Sequence, residues 1–157
     1  MNIKEIVNKC IIGGNFTLHS GERSSWICNL LKEIVHFGDL YWSVLDSYTR
    51  YPGLPVGLEL GGALLVMTRQ RSIECGIIRK DTTLYLPEGI STKRITLIDD
   101  VCTTGASLKV AKAKILSIYP EAEIICRCVL DRRTIEDRLG FLVKSLVTWE
   151  EVMPHRL

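Results

Sequence analysis

The sequence predicts an α/β fold: a doubly wound parallel sheet with helices on both faces. Two observations carry that prediction. From residue 56 onward, short apolar runs alternate with helix-like runs, the pattern of a parallel sheet. Twice, at 57–62 and at 99–107, a strand-like run ends in a turn of small residues that opens a helix. In such sheets ligands bind at the carboxyl ends of the strands. A chain of 157 residues suits one domain, burying about two-thirds of its unfolded surface. No repeat, low-complexity stretch or linker divides it. Residues 1–157 are therefore expected to form a single domain, with 1–30 leading into a 31–157 core.

Along the chain, Ile3, Ile6, Val7 and Cys10 recur at helical spacing. They predict a helix over 2–12 that Gly13, Gly14 and Asn15 end. Residues from 16 are turn-rich, then strand-like over 25–30. A helix is expected over 39–50, capped by Asp39 and broken at 51–55, where Pro52, Gly53 and Pro55 fall. An apolar strand over 56–60 leads through Gly61 and Gly62 into a helix over 63–70. A strand over 75–79 precedes a loop over 80–93 that holds Pro87 and Gly89. Strand 95–98 and helix 106–118 follow, and Pro120 closes that helix. The remainder reads as strand 123–130, a short helix over 134–139, strand 143–147, and a last turn over 149–152 capped by Thr148.

Composition narrows the partners. Net charge is +2, with 46% hydrophobic and 24% charged residues. That balance is too even for nucleic acid as the main partner. No apolar run approaches the roughly 18 residues of a membrane span, so no membrane partner is expected. Residues 1–9 carry charge where a secretory leader has an apolar core, and a cytoplasmic location is expected. The six cysteines form no Cys-x-x-Cys. Cys126 and Cys128 share one side of a strand, and all six read as small buried thiols of a reducing compartment.

The run 95–108, Ile-Thr-Leu-Ile-Asp-Asp-Val-Cys-Thr-Thr-Gly-Ala-Ser-Leu, carries the chemistry. Backbone N–H groups in the turn and at the helix N-terminus attract an anion. Thr103, Thr104 and Ser107 add hydroxyl donors. Asp99 and Asp100 would repel a phosphate, and suit sugar hydroxyls or a magnesium ion beside it. The segment therefore asks for a sugar phosphate. An ordinary capped strand–turn–helix explains one acid or one threonine, but not both acids with the hydroxyl cluster.

These residues resemble the 5-phosphoribosyl-1-pyrophosphate (PRPP) motif of type I phosphoribosyltransferases. That resemblance implies that Val101, Cys102, Thr103, Thr104, Gly105, Ala106 and Ser107 cradle the 5′-phosphate. It implies that Asp99 and Asp100 hold the ribose hydroxyls and Mg²⁺, directly or through water. The turn 57–62 is similar to the family's pyrophosphate loop, so Gly61 and Gly62 are expected to face pyrophosphate. Arg79 and Lys80, at a strand end, resemble the Arg-Lys pair of orotate phosphoribosyltransferases. The pair is expected on the same group, across a homodimer interface, with Lys80 counted among the catalytic residues. The run 16–25 is similar to that subgroup's base-binding loop, which makes 1–30 a hood over the base, with Phe16 and His19 facing it. Asp131-Arg132 and the run 146–152 resemble the subgroup's C-terminal end, with Arg132 on the base carboxylate. The implied reaction joins a pyrimidine-type base to PRPP and releases pyrophosphate, in pyrimidine nucleotide synthesis.

One segment departs from the family. Members carry a Lys and a His on a loop after the Arg-Lys pair; residues 81–89 contain neither. Losing one electrostatic stabiliser of a developing charge typically costs on the order of 10²–10³ in rate. The alternative expectation is therefore a weak or inactive PRPP- or nucleotide-binding regulatory protein on the same fold.

Overall fold

A computed structural model describes residues 2–18, 21–31, 53–69, 74–88 and 93–153. The helix expected over 39–50 lies outside the described residues. Helix α1 (Ile3–Lys9) starts at a capping box, in which the Glu5 N–H donates to Asn2 Oδ1 at 3.0 Å and the Asn2 N–H donates to Glu5 Oε2 at 3.0 Å. It buries Ile3, Ile6 and Val7, one turn apart on one face.

The helix does not reach Gly13. It stops at Lys9, and residues 11–17 form strand β1 (Ile11–Thr17) paired antiparallel with β2 (Arg23–Cys28). The expected terminators Gly13 and Gly14 lie inside the strand, beneath the rings of Trp26 and Phe16. Pairing of Ile11 with Cys28 and Ile12 with Ile27 outweighs helical spacing, and β-branched isoleucines fit that pleated surface.

The main sheet holds β3 (Leu54–Leu58), β4 (Gly76–Ile78), β5 (Leu84–Tyr85), β6 (Arg94–Cys102), β7 (Glu123–Asp131) and β8 (Lys144–Thr148). Their order is β5-β4-β3-β6-β7-β8. Every pairing is parallel except that of β5 with β4, which is antiparallel. The short β5 falls within the span read as loop.

Helices cover both faces, as expected. Helix α2 (Glu59–Arg69) joins α1 and the terminal α5 (Trp149–Val152) on one face, where Leu65, Val66, Ile6, Val7 and Val152 pack on Ile98 and Val147. Helix α3 (Ala106–Ile118) covers the other, with Leu108, Ala111 and Ile115 on Val56, Leu97 and Cys126. A short α4 (Ile135–Gly140) follows β7. Leu97 is fully buried, and truncating such a side chain to alanine costs about 2–5 kcal/mol. Among the described residues, no helix is long and apolar enough to cross a membrane.

The strand order reverses between β3 and β6. Chains leaving their carboxyl ends turn to opposite faces, so a crevice opens there. Strand β6 is also longer than expected. Its ladder to β7 continues from Asp99 opposite Cys128 to Cys102 opposite Asp131, which makes the acid pair part of the strand.

Candidate functional site

The crevice at the β3–β6 switch is walled by the first turn of α2 and by the turn between β6 and α3. The α2 wall touches the acids. A β-carbon on Gly61 would come within 2.6 Å of both Asp100 carboxyl oxygens, and one on Gly62 would strike the Ile98 carbonyl. Only glycine lets these backbones approach so closely. Adjacent strand residues point to opposite faces: Asp100 lies against α2, while Asp99 is close to the buried Cys102 and Cys128. Asp99 Oδ1 accepts the Asp100 N–H, and Asp100 Oδ1 accepts the Val101 N–H, each at 2.9 Å. Burial, reinforced by the neighbouring Asp100, holds the Asp99 carboxyl well above the usual carboxylate range.

The α3 wall presents backbone N–H groups at a helix N-terminus. Gly105 is the N-cap, with φ 78°, in the left-handed region, where glycine carries no steric penalty. The Ala106 N–H donates to Thr104 Oγ1 at 3.3 Å. The N-cap Gly105 has no side chain to cap α3, and no acid occupies the first turn. Helices α1, α4 and α5 all carry acids there and side-chain caps. The positive end of the α3 dipole is therefore left for a ligand. Thr103 and Thr104 are half-buried and Ser107 is exposed.

Arg79 and Lys80 follow β4 and are exposed. They open a tight turn in which the Thr82 N–H donates to Arg79 O at 2.8 Å and the Arg79 N–H to Thr83 O at 2.9 Å. Asp81 Oδ1 accepts the Thr83 N–H at 2.9 Å, which holds that carboxyl below its usual value. A hydrogen bond to Tyr85, helped by Asp81, raises the Arg79 guanidinium above its ordinary value. The turn is thus closed within itself and continues into β5.

Around Arg132 the hairpin β1–β2 meets the sheet. The Arg132 N–H donates to Cys102 O at 2.8 Å, tying the ends of β6 and β7 together. Its guanidinium donates to Ser24 Oγ at 3.1 Å and to Trp26 O at 3.3 Å. It also lies 4.3 Å from the centre of the Trp149 ring, a cation–π contact. Burial lowers its pKa. Phe16 is opposite Ser24 in the hairpin ladder, so Phe16 and Arg132 share one neighbourhood. His19 lies outside the described residues.

Two features were not foreseen from sequence. Asp131 pairs with Arg133, not with Arg132: Nε to Oδ1 is 2.9 Å and Nη2 to Oδ2 is 2.8 Å, with both side chains buried. Trp149 supports Arg132. Of the six cysteines read as buried, Cys28 and Cys75 are half-buried; Cys102 is buried, as expected, at the foot of the turn 103–105. Its thiol is lowered below the ordinary value by a hydrogen bond with Cys128, whose own thiol is raised. The Thr148 cap and the run after β8 were the available signal for Trp149; nothing local marks Arg133.

Comparisons with known proteins agree with this architecture. No family model matches the chain. The orotate phosphoribosyltransferase of Saccharolobus solfataricus is 28% identical over 130 residues, 74% of this chain and 66% of that protein. The chain thus spans just under two thirds of that relative's length. The crystal structure of orotate phosphoribosyltransferase from Aeropyrum pernix superposes with a TM-score of 0.73 at 21% identity, covering 97% of this chain and 96% of that one. The Mycobacterium tuberculosis orotate phosphoribosyltransferase in complex with PRPP gives 0.64 at 19% identity, covering 96% of each.

Proposed function

We propose that this chain, which has the fold of the type I phosphoribosyltransferases and is similar in sequence to an orotate phosphoribosyltransferase, transfers the 5-phosphoribosyl group of PRPP to an orotate-like pyrimidine base. The observation that carries the reading is the Asp99-Asp100 pair at the end of β6, joined by one turn to the N-terminus of α3, with Asp100 pressed against Gly61.

In this reading the 5′-phosphate sits on Val101, Cys102, Thr103, Thr104, Gly105, Ala106 and Ser107. The acids accept hydrogen bonds from the ribose hydroxyls. Gly61 and Gly62 present backbone to pyrophosphate, and Arg79 and Lys80 add cations. Phe16, His19 and Arg132 face the base. A base nitrogen bonds to the anomeric carbon while that carbon's bond to pyrophosphate breaks, and the electron pair leaves with pyrophosphate. The ring becomes cation-like on the way, and Asp100 stabilises it.

Asp99 and Asp100 offer the hard oxygen donors that Mg²⁺ prefers. Among the described residues no group of three or more His, Cys, Asp or Glu side chains could hold a metal alone. That fits an ion carried largely by substrate oxygens and water; when bound it neutralises charge on the departing pyrophosphate. A cytoplasmic homodimer in pyrimidine nucleotide synthesis belongs to the same reading. Leu60 and Met67, exposed on α2, supply apolar surface for the contact.

A second reading is favoured by one observation. Residues 81–88 hold no Lys or His and fold into a closed turn with β5, so the chain would bind PRPP or a nucleotide and regulate rather than turn over. Assay of pyrophosphate release from PRPP and Mg²⁺ with orotate and a panel of bases, beside calorimetric PRPP binding, separates the two. Release with one base is expected. Binding without release selects the regulator, and no PRPP binding sinks both.

A further inference from the structure

We propose that Arg133 is a positioning residue that sets the shape of the phosphate turn, an assignment that rests on the phosphoribosyl reading of that site. Arg133 is the largest fully buried side chain among the described residues, 2% exposed. Three of its contacts go to Asp131, from the backbone N–H, Nε and Nη2. Nη1 donates to the Phe141 carbonyl. The remaining face of the side chain lies under Gly105. A β-carbon there would sit 3.5 Å from Arg133 Cδ and 3.4 Å from the Phe141 ring. Phe141 in turn has Lys109 and Lys112 of α3 over its ring, at 5.5 and 5.8 Å.

The turn 103–105 therefore rests on a floor made by one arginine and the ring it holds. That floor joins three pieces: the end of β7 through Asp131, the segment after α4 through Phe141, and the N-terminus of α3 through Gly105. An apolar filler would stabilise such a place as well as a buried ion pair does, and often better. A planar fork with fixed donors differs in what it fixes. It locks the direction of its own stem, and so the height of Gly105 against the anion. Fixing that height favours a ligand whose phosphate spans the N–H groups of α3.

The test compares ribose 5-phosphate and pyrophosphate affinities, by calorimetry, in wild type, Arg133→Lys and the double variant Asp131→Leu with Arg133→Met. The double variant removes both charges together, so neither is left buried alone. It is expected to melt cooperatively and to bind ribose 5-phosphate at least about tenfold more weakly, the worth of one hydrogen bond to a charged group. Pyrophosphate affinity is expected to stay unchanged. Arg133→Lys keeps a charge without the fork and is expected to lose affinity in the same direction. Retained ribose 5-phosphate affinity in whichever variant folds, or an equal loss for both ligands, overturns the assignment. A readout on wild type needs no variant: the Arg133 Nε–H resonance should shift on titration with ribose 5-phosphate, and a static signal overturns it as well. Wild type that binds no ribose phosphate defeats the phosphoribosyl reading itself, an outcome distinct from wild-type binding that the variants keep.

Discussion

The ends of β6 and β4 lie on the same edge of the sheet, yet they are built in opposite ways. At the end of β6 three groups have partners from other elements: Asp100 meets Gly61 of α2, Gly105 rests on Arg133, and Cys102 O accepts the Arg132 N–H. At the end of β4 the exposed Arg79 and Lys80 stand on a turn whose hydrogen bonds stay within residues 79–83. Over-determined geometry suits a group that must stay put, the sugar phosphate in the proposed reading. Two long, solvated cations suit one that must leave.

The sharpest way to break that contrast is Asp100→Asn. It is expected to lower PRPP-dependent turnover by about 10²–10³-fold while the melting curve moves by less than about 0.5 kcal/mol. Unchanged turnover would remove the acid pair from the site. Next comes Gly62→Ala, whose β-carbon would strike the Ile98 carbonyl. A loss of about 3 kcal/mol or more in urea unfolding is expected, from the forced separation of α2 and β6; a loss under 1 kcal/mol would mean that the wall yields.

Asp99 gives a pH signature. It holds its proton more tightly in the folded chain, so it aids folding below the ordinary carboxylate value of 3.8 and withdraws that aid as pH rises toward its own raised value. Asp99→Asn should therefore melt a few degrees above wild type near neutrality, and the gap should close as pH falls toward about 4. A gap independent of pH would contradict the burial of that carboxyl. The smallest stability effect is expected at β4: Arg79→Ala and Lys80→Ala should each change stability by less than about 0.5 kcal/mol. They should also flatten the salt dependence of pyrophosphate affinity, because exposed charges are screened. A cooperative loss of fold would show that this turn is not the independent piece described.

The legibility of the sequence follows the same contrast. The run 95–118 was readable because its signals are local: an apolar strand, two acids, a glycine turn and a helix. The alternation of strands and helices likewise gave the sheet order's class and the two covered faces. What escaped depends on partners distant in the chain. Gly13 and Gly14 read as helix terminators because nothing nearby reveals the pairing with β2 that lays Trp26 over Gly13. Arg133 drew no reading of its own because its burial is decided by Gly105 and Phe141. Of the pair 132–133, the strand end turned one arginine toward Trp149 and the other into the core, a choice that no spacing within the sequence expresses.

The contact between α1 and α5 carries a consequence for how the chain is made. Ile3, Ile6 and Val7 share one cluster with Val147, Val152 and Met153, and Lys4 pairs with Glu151 at 2.8 Å. A ribosome adding roughly 5–20 residues per second leaves α1 without that partner for on the order of ten seconds. Leu30, Leu65, Val66 and Ile98 of the same cluster emerge earlier, so α1 gains part of its cover first and the rest only when Trp149 and its neighbours follow. Vectorial synthesis thus places the α1–α5 contact late in the assembly of this cluster.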